Sequence, residues 1–118
     1  MLKQTRKIQL ASQVGDVVAC TVADSFCSRF MGLMGRDRPI NGEGLIIRPC
    51  NSIHMFFMRF PIDAVFLDRG FRIVKLIRGL SPGKVVGTVP GAWQVLEVAA
   101  GSLPSSFREG ERLVVRSL

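Results

Sequence analysis

The chain has 118 residues, 47% of them hydrophobic, and 16 Lys and Arg against nine Asp and Glu leave a formal net charge of +7. That length suits a single domain over 1–118 with a core of its own, and no apolar run approaches the roughly 20 residues needed to span a bilayer. Cys20, Cys27 and Cys50 are odd in number and lack C-x-x-C spacing, which argues against a disulfide framework and against a cysteine-based zinc site.

The segment Met1–Lys7 is basic but no apolar stretch follows it, so no signal peptide is expected and the expected location is cytoplasmic. Residues 4–10 alternate weakly between polar and apolar types, as an edge strand does. Gln13-Val14-Gly15-Asp16 reads as a turn, and the β-branched run Val17–Val22 as the second strand of a hairpin. Asp24 then reads as a helix N-cap. Phe26, Phe30 and Leu33 follow at i, i+4 and i+7, an apolar stripe on one helix ended by Gly35.

The run 36–44 is a charged, Gly-rich loop, and Leu45-Ile46-Ile47 a short buried strand. Pro49–Ser52 reads as a turn. Ile53–Phe57 has the residue types of a strand, in which alternation sets His54, Phe56 and Met58 on one face and Met55, Phe57 and Arg59 on the other. Pro61 breaks the ladder. Ile62–Leu67 resumes it, turns at Asp68-Arg69-Gly70, where Gly70 can take a positive φ, and returns through Phe71–Ile77. A long Gly- and Pro-rich loop over 79–91 precedes a strong strand, Ala92–Ala99. A helical turn is expected over 103–107 and a last strand over Arg112–Arg116. The tally predicts a mainly β fold, a small β-sandwich or partly open barrel of seven to eight short strands with one α-helix.

The chain resembles domain-of-unknown-function family 192, a group of small prokaryotic domains. The resemblance rests on Met31-Gly32-Leu33-Met34-x-Arg36, on Gly44-Leu45-Ile46, and on His54-x-x-x-Met58. It continues through Ile62-Asp63-x-x-Phe66-Leu67-Asp68, Val95-Leu96-Glu97 with Gly101, and Gly110-Glu111-x-Leu113. Phe57 stands where the family often has Trp, and Glu111 where it often has Asp. The resemblance implies a mostly β, sandwich- or barrel-like domain with one helix, and it carries no activity and no catalytic residue.

Several residues have chemistry to offer. The sole histidine, His54, suits a base or a ligand contact, but no nucleophile or second histidine stands at motif spacing. Met31, Met34, Met55, Met58 and Cys50 are soft donors that also serve as core filler, so no metal or other cofactor is expected. Asp63 and Glu97 lie within apolar strands, where a carboxylate needs a hydrogen-bonding or cationic partner. Arg59 and Arg36 are the candidates. Either the carboxylates tie strands together, or they fix one polar end of a ligand between walls of Phe56, Met58, Phe66 and Trp93. Gly83-Lys84 fails as a phosphate loop on both sides.

The expected function is a non-catalytic small-ligand-binding or accessory module, its site near His54, Met58, Arg59, Asp63 and Glu97, its partner a small molecule or another protein. One alternative is a hydrolase or transferase using His54 with Asp63 or Glu97. Another is a binder of an anionic polymer such as nucleic acid, through the 79–91 loop and scattered arginines. Arg72 and Arg78 would share one face of their strand, with Lys75 on the other.

Overall fold

A computed structural model describes residues 6–23, 43–56 and 58–117. Nine strands lie among them: β1 (Arg6–Ala11), β2 (Val17–Ala23), β3 (Gly44–Ile47), β4 (Ile53–His54), β5 (Ile62–Leu67), β6 (Ile73–Leu80), β7 (Val85–Val86), β8 (Gln94–Ala99) and β9 (Val114–Ser117). The mainly β expectation holds, with nine strands in place of seven or eight. The helix expected after Asp24, with its Phe26, Phe30 and Leu33 stripe, lies outside the described residues, as do Cys27 and Arg36.

Seven strands form one sheet in the order β6-β5-β8-β3-β2-β1-β9, and β4 pairs with β7 in a second. Every pairing is antiparallel except β2 with β3. The large sheet is open. Its end strands approach at an isolated bridge between Arg72 and Arg112, beside which Ile73 N–H donates to Glu111 O and Gly110 N–H to Ile73 O. The segment 109–112 thus covers the start of the β6 edge, the part of a sheet most exposed to unwanted pairing.

Alternation divides the core between the two faces of the sheet. One face carries Leu10, Cys20, Ile46, Val65, Leu67, Leu96 and Val98, closed by Leu103, Phe107 and Leu113. The other carries Ile62, Ala64, Phe66 and Val95, covered by Met55 and Val89 with Ile53 and Val86 of the small sheet. Strand β5 is buried at all six positions because it faces both layers. Gly44 marks a close approach within the first layer. A Cβ there would lie 2.7 Å from Leu96 Cδ1 and 3.0 Å from Val98 Cγ1.

Three local expectations change. The segment after Ile53 is a strand for two residues only. Met55 turns inward to full burial, its N–H donating to Lys84 O at 2.7 Å, and Met58 N–H closes a turn on Met55 O. Burying Met55 under the second sheet wins over continued alternation. At the β5–β6 hairpin the positive φ falls on Phe71 (67°), not on Gly70. The Asp68 carboxylate accepts Gly70 and Arg72 N–H at 2.8 and 2.9 Å, and this side-chain turn fixes the geometry. Finally, β6 runs on to Leu80 and β7 lies inside the expected 79–91 loop, while 103–107 is a turn closed by Phe107 N–H on Pro104 O.

Candidate functional site

The two buried carboxylates have different fates. On β5 and β8 the register sets Asp63 against Val98 and Ala64 against Glu97. Residues paired across a ladder share a face, so Asp63 looks into the Val65–Val98 layer and Glu97 into the Ala64–Val95 layer. The sheet itself separates them.

Asp63 is 1% exposed. Its Oδ1 accepts Gly79 N–H at 2.9 Å, and its Oδ2 accepts Gly101 N–H at 3.0 Å and Leu103 N–H at 3.4 Å. Arg78 Nη1 stands 4.0 Å from Oδ2 and donates to Leu103 O at 2.9 Å, while Nη2 donates to Pro104 O at 3.0 Å. A β-bulge makes this possible. Ile62 pairs with Leu80 but Ala64 with Ile77, so β6 has one extra residue opposite Asp63. Gly79, at φ 69°, takes the left-handed conformation that turns its N–H to the carboxylate. Among the described residues the cation beside Asp63 is Arg78, which the sequence reading did not name for this role, and the backbone supplies most of the carboxylate's partners. This is a structural tie between β5, β6 and the 101–104 turn.

Glu97 is 7% exposed. Among the described residues no hydrogen bond or ion pair reaches its carboxylate, and burial pushes its pKa from 4.5 up to about 7. Met58 packs against the same layer. His54 is exposed on β4, paired with Val85, its ring 5.0 Å from that of Phe56, itself 49% exposed. Arg59 is exposed. Structure thus brings Met58 and Glu97 to one layer, places His54 on the small sheet over it, and leaves Asp63 on the opposite side. Arg72 and Arg78 also have structural work, Arg72 Nη1 donating to Gly110 O at 2.6 Å.

Two clefts lie along the segment 86–93. The larger, about 470 Å³, is lined by Val74, Lys75, Val86, Gly87, Thr88, Val89, Pro90 and Glu109. Its valines belong to the layer that holds Met58 and is faced by Glu97. Glu109 is held in place, its Oε2 accepting Leu76 N–H at 3.0 Å. The smaller cleft, about 180 Å³, is lined by Pro49, Cys50, Asn51, Ala92 and Trp93. The Arg69 and Arg48 guanidinium carbons lie 4.4 and 5.6 Å from the Trp93 ring centroid. Sequence reasoning named Trp93 as a pocket wall but missed Arg48, Arg69, Lys75, Thr88 and Glu109. None of these sits in a motif, and their convergence depends on long-range pairing.

A mainly β fold with clefts but no assembled catalytic group among the described residues fits a family defined by sequence and fold alone. The chain belongs to domain-of-unknown-function family 192 (DUF192, Uncharacterized ACR), whose model matches residues 7–115. It is 36% identical over 85 residues to a UPF0127 protein of Thermococcus sibiricus, an alignment covering 68% of this chain and 54% of that one. It is 34% identical over 105 residues to a UPF0127 protein of Thermococcus kodakarensis, covering 77% and 66%. The chain thus spans about half to two thirds of the length of these relatives. A crystal structure of a protein of unknown function from Novosphingobium aromaticivorans superimposes with a TM-score of 0.76 at 19% identity, covering 94% of this chain and 85% of that one. Another, from Sinorhizobium meliloti and provisionally described as a transcription regulator, gives 0.75 at 18%, covering 98% and 96%. At such identities the likeness is one of fold.

Proposed function

We propose that this chain is a small-ligand-binding module whose ligand occupies the cleft between β6 and the 86–90 segment. The observation that carries the reading is the composition of that cleft. Apolar walls from Val74, Val86, Val89 and Pro90 surround one ammonium, one hydroxyl and one carboxylate, those of Lys75, Thr88 and Glu109. Sites for small molecules combine apolar walls with a few placed polar groups, in volumes of roughly 300–1,000 Å³. Within this reading His54, Met58 and Glu97 support the cleft from behind, through β4–β7 pairing and the layer beneath. Asp63 is withdrawn from ligand contact and from acid–base work by its backbone donors. Arg59 is exposed and stays a candidate for ligand contact.

Thermal-shift measurements against amino acids, sugars and nucleotides test the proposal, since a ligand that binds only the folded chain raises its Tm. At least one compound is expected to raise the Tm of the wild type, and the rise is expected to shrink in Lys75→Ala. No shift with any compound, or an equal shift in Lys75→Ala, sinks the assignment to this cleft.

A further inference from the structure

We infer that Arg69 and Trp93 form a second site, independent of the larger cleft, that takes a small oxyanion: a carboxylate or a phosphate group. Trp93 is held by its own main-chain bonds and Arg69 by the turn around it. Arg69 sits in the turn organised by Asp68, whose carboxylate is occupied with Gly70 and Arg72 N–H. Trp93 N–H donates to Leu67 O at 2.8 Å, and Trp93 O accepts Cys50 N–H at 2.8 Å. The Arg69 guanidinium carbon lies 4.4 Å from the Trp93 ring centroid. A guanidinium over an aromatic face keeps its N–H edge directed outward, in the fork that matches two oxygens of a carboxylate or phosphate. Among the described residues the Arg69 side chain makes no hydrogen bond or ion pair, so these donors have no protein acceptor there.

The surroundings favour negative charge. The adjoining cleft is lined by Pro49, Cys50, Asn51, Ala92 and Trp93, with no carboxylate among them. Arg48 brings a second guanidinium to within 5.6 Å of the same ring centroid. Asp68, the acid next to Arg69 in sequence, spends Oδ1 on its own turn. The net charge of +7 adds a long-range attraction of the same sign. Trp93 is the residue this cleft shares with the Arg69 pair, and its space of about 180 Å³ admits a small group such as acetate or inorganic phosphate better than a nucleotide.

The test uses a built-in reporter. Trp93 is the sole tryptophan and the chain has no tyrosine, so intrinsic indole fluorescence reads this site alone. The protein is titrated with inorganic phosphate and, separately, with acetate, each balanced with chloride to constant ionic strength. A saturable change at millimolar concentrations is expected with one or both oxyanions and not with chloride. The arm that saturates identifies phosphate or carboxylate as the preferred group. Arg69→Gln is expected to weaken binding about tenfold or more, the scale of a lost charge-assisted contact. Arg69→Lys, which keeps the charge but loses the fork, falls between. Arg69 is exposed, so both variants retain the wild-type Tm within a few degrees. The proposal is overturned by no saturable response to either oxyanion, by an equal response to chloride, or by an unchanged isotherm in Arg69→Gln.

Discussion

Asp63 and Glu97 stand one residue apart in register on neighbouring strands, yet they face opposite sides of the sheet. One carboxylate is surrounded by donors and the other is buried among apolar groups, so the two predict opposite behaviour.

Asp63 satisfies three backbone N–H groups at buried or half-buried positions. Asp63→Ala strands all three together with the Arg78 charge, and should destabilise the fold by about 3–5 kcal/mol. Arg78→Ala should cost less, about 1 kcal/mol, because the Arg78 side chain is 42% exposed and its ion pair is screened by water. Denaturant unfolding of the two variants measures the asymmetry. Equal losses would mean that the ion pair, rather than the backbone donors, holds this corner.

Glu97 predicts a pH dependence. Its pKa is raised by burial from 4.5 to about 7. The folded state then binds a proton that the unfolded state releases, and stability falls as pH rises from 4.5 through 7. Below 4.5 this contribution is complete, and above 7 it is lost, a difference of roughly 3 kcal/mol. Glu97→Gln cannot ionise, so unfolding free energy measured from pH 4 to 8 should lose this slope relative to the wild type. Parallel pH profiles for the two proteins would show that burial leaves the Glu97 pKa where it stands in the unfolded chain.

Cys20 should be inert. Burial, then the charge of Glu43, push its thiol up to about 12, against a smaller lowering by the Leu10 backbone. At pH 8 almost no thiolate forms, and the sulfur is inaccessible in the native state. Alkylation with iodoacetamide followed by peptide mass mapping should leave Cys20 unmodified until denaturant is added, with Cys50, half-buried beside the smaller cleft, labelled ahead of it.

Much of the fold was legible because the apolar alternation is strong. The β1–β2 and β5–β6 hairpins, the short β3 and the buried β8 all follow from runs of β-branched and apolar residues between turns. Where local pattern competes with burial it misleads. The Ile53–Phe57 run has strand composition, but Met55 is claimed by the small sheet and the chain turns. Asp63 could be read as a carboxylate in need of partners, yet its answer came from Gly79, Gly101 and Leu103, whose N–H groups are invisible in side-chain chemistry. The clefts were the least legible part. Trp93 and Arg69 are 24 positions apart and meet only because β5 and β8 pair side by side.

Glu109 offers the most local test of the larger cleft. Its Oε2 accepts Leu76 N–H at 3.0 Å on the edge strand β6, while the carboxylate also lines the cleft. An edge N–H without an acceptor exchanges with water and offers a pairing site to another chain. In Glu109→Gln the side-chain carbonyl still accepts this bond, so stability should change by less than about 0.5 kcal/mol while the charge in the cleft is lost. In Glu109→Ala both are lost, at about 1 kcal/mol. The two variants therefore separate the edge from the site. Hydrogen exchange at the Leu76 amide should quicken in Glu109→Ala and stay near wild type in Glu109→Gln, whereas any ligand found to occupy the cleft through this carboxylate should weaken in both. Exchange at Leu76 that is unaltered in Glu109→Ala would show that this amide is protected by something other than the Glu109 carboxylate.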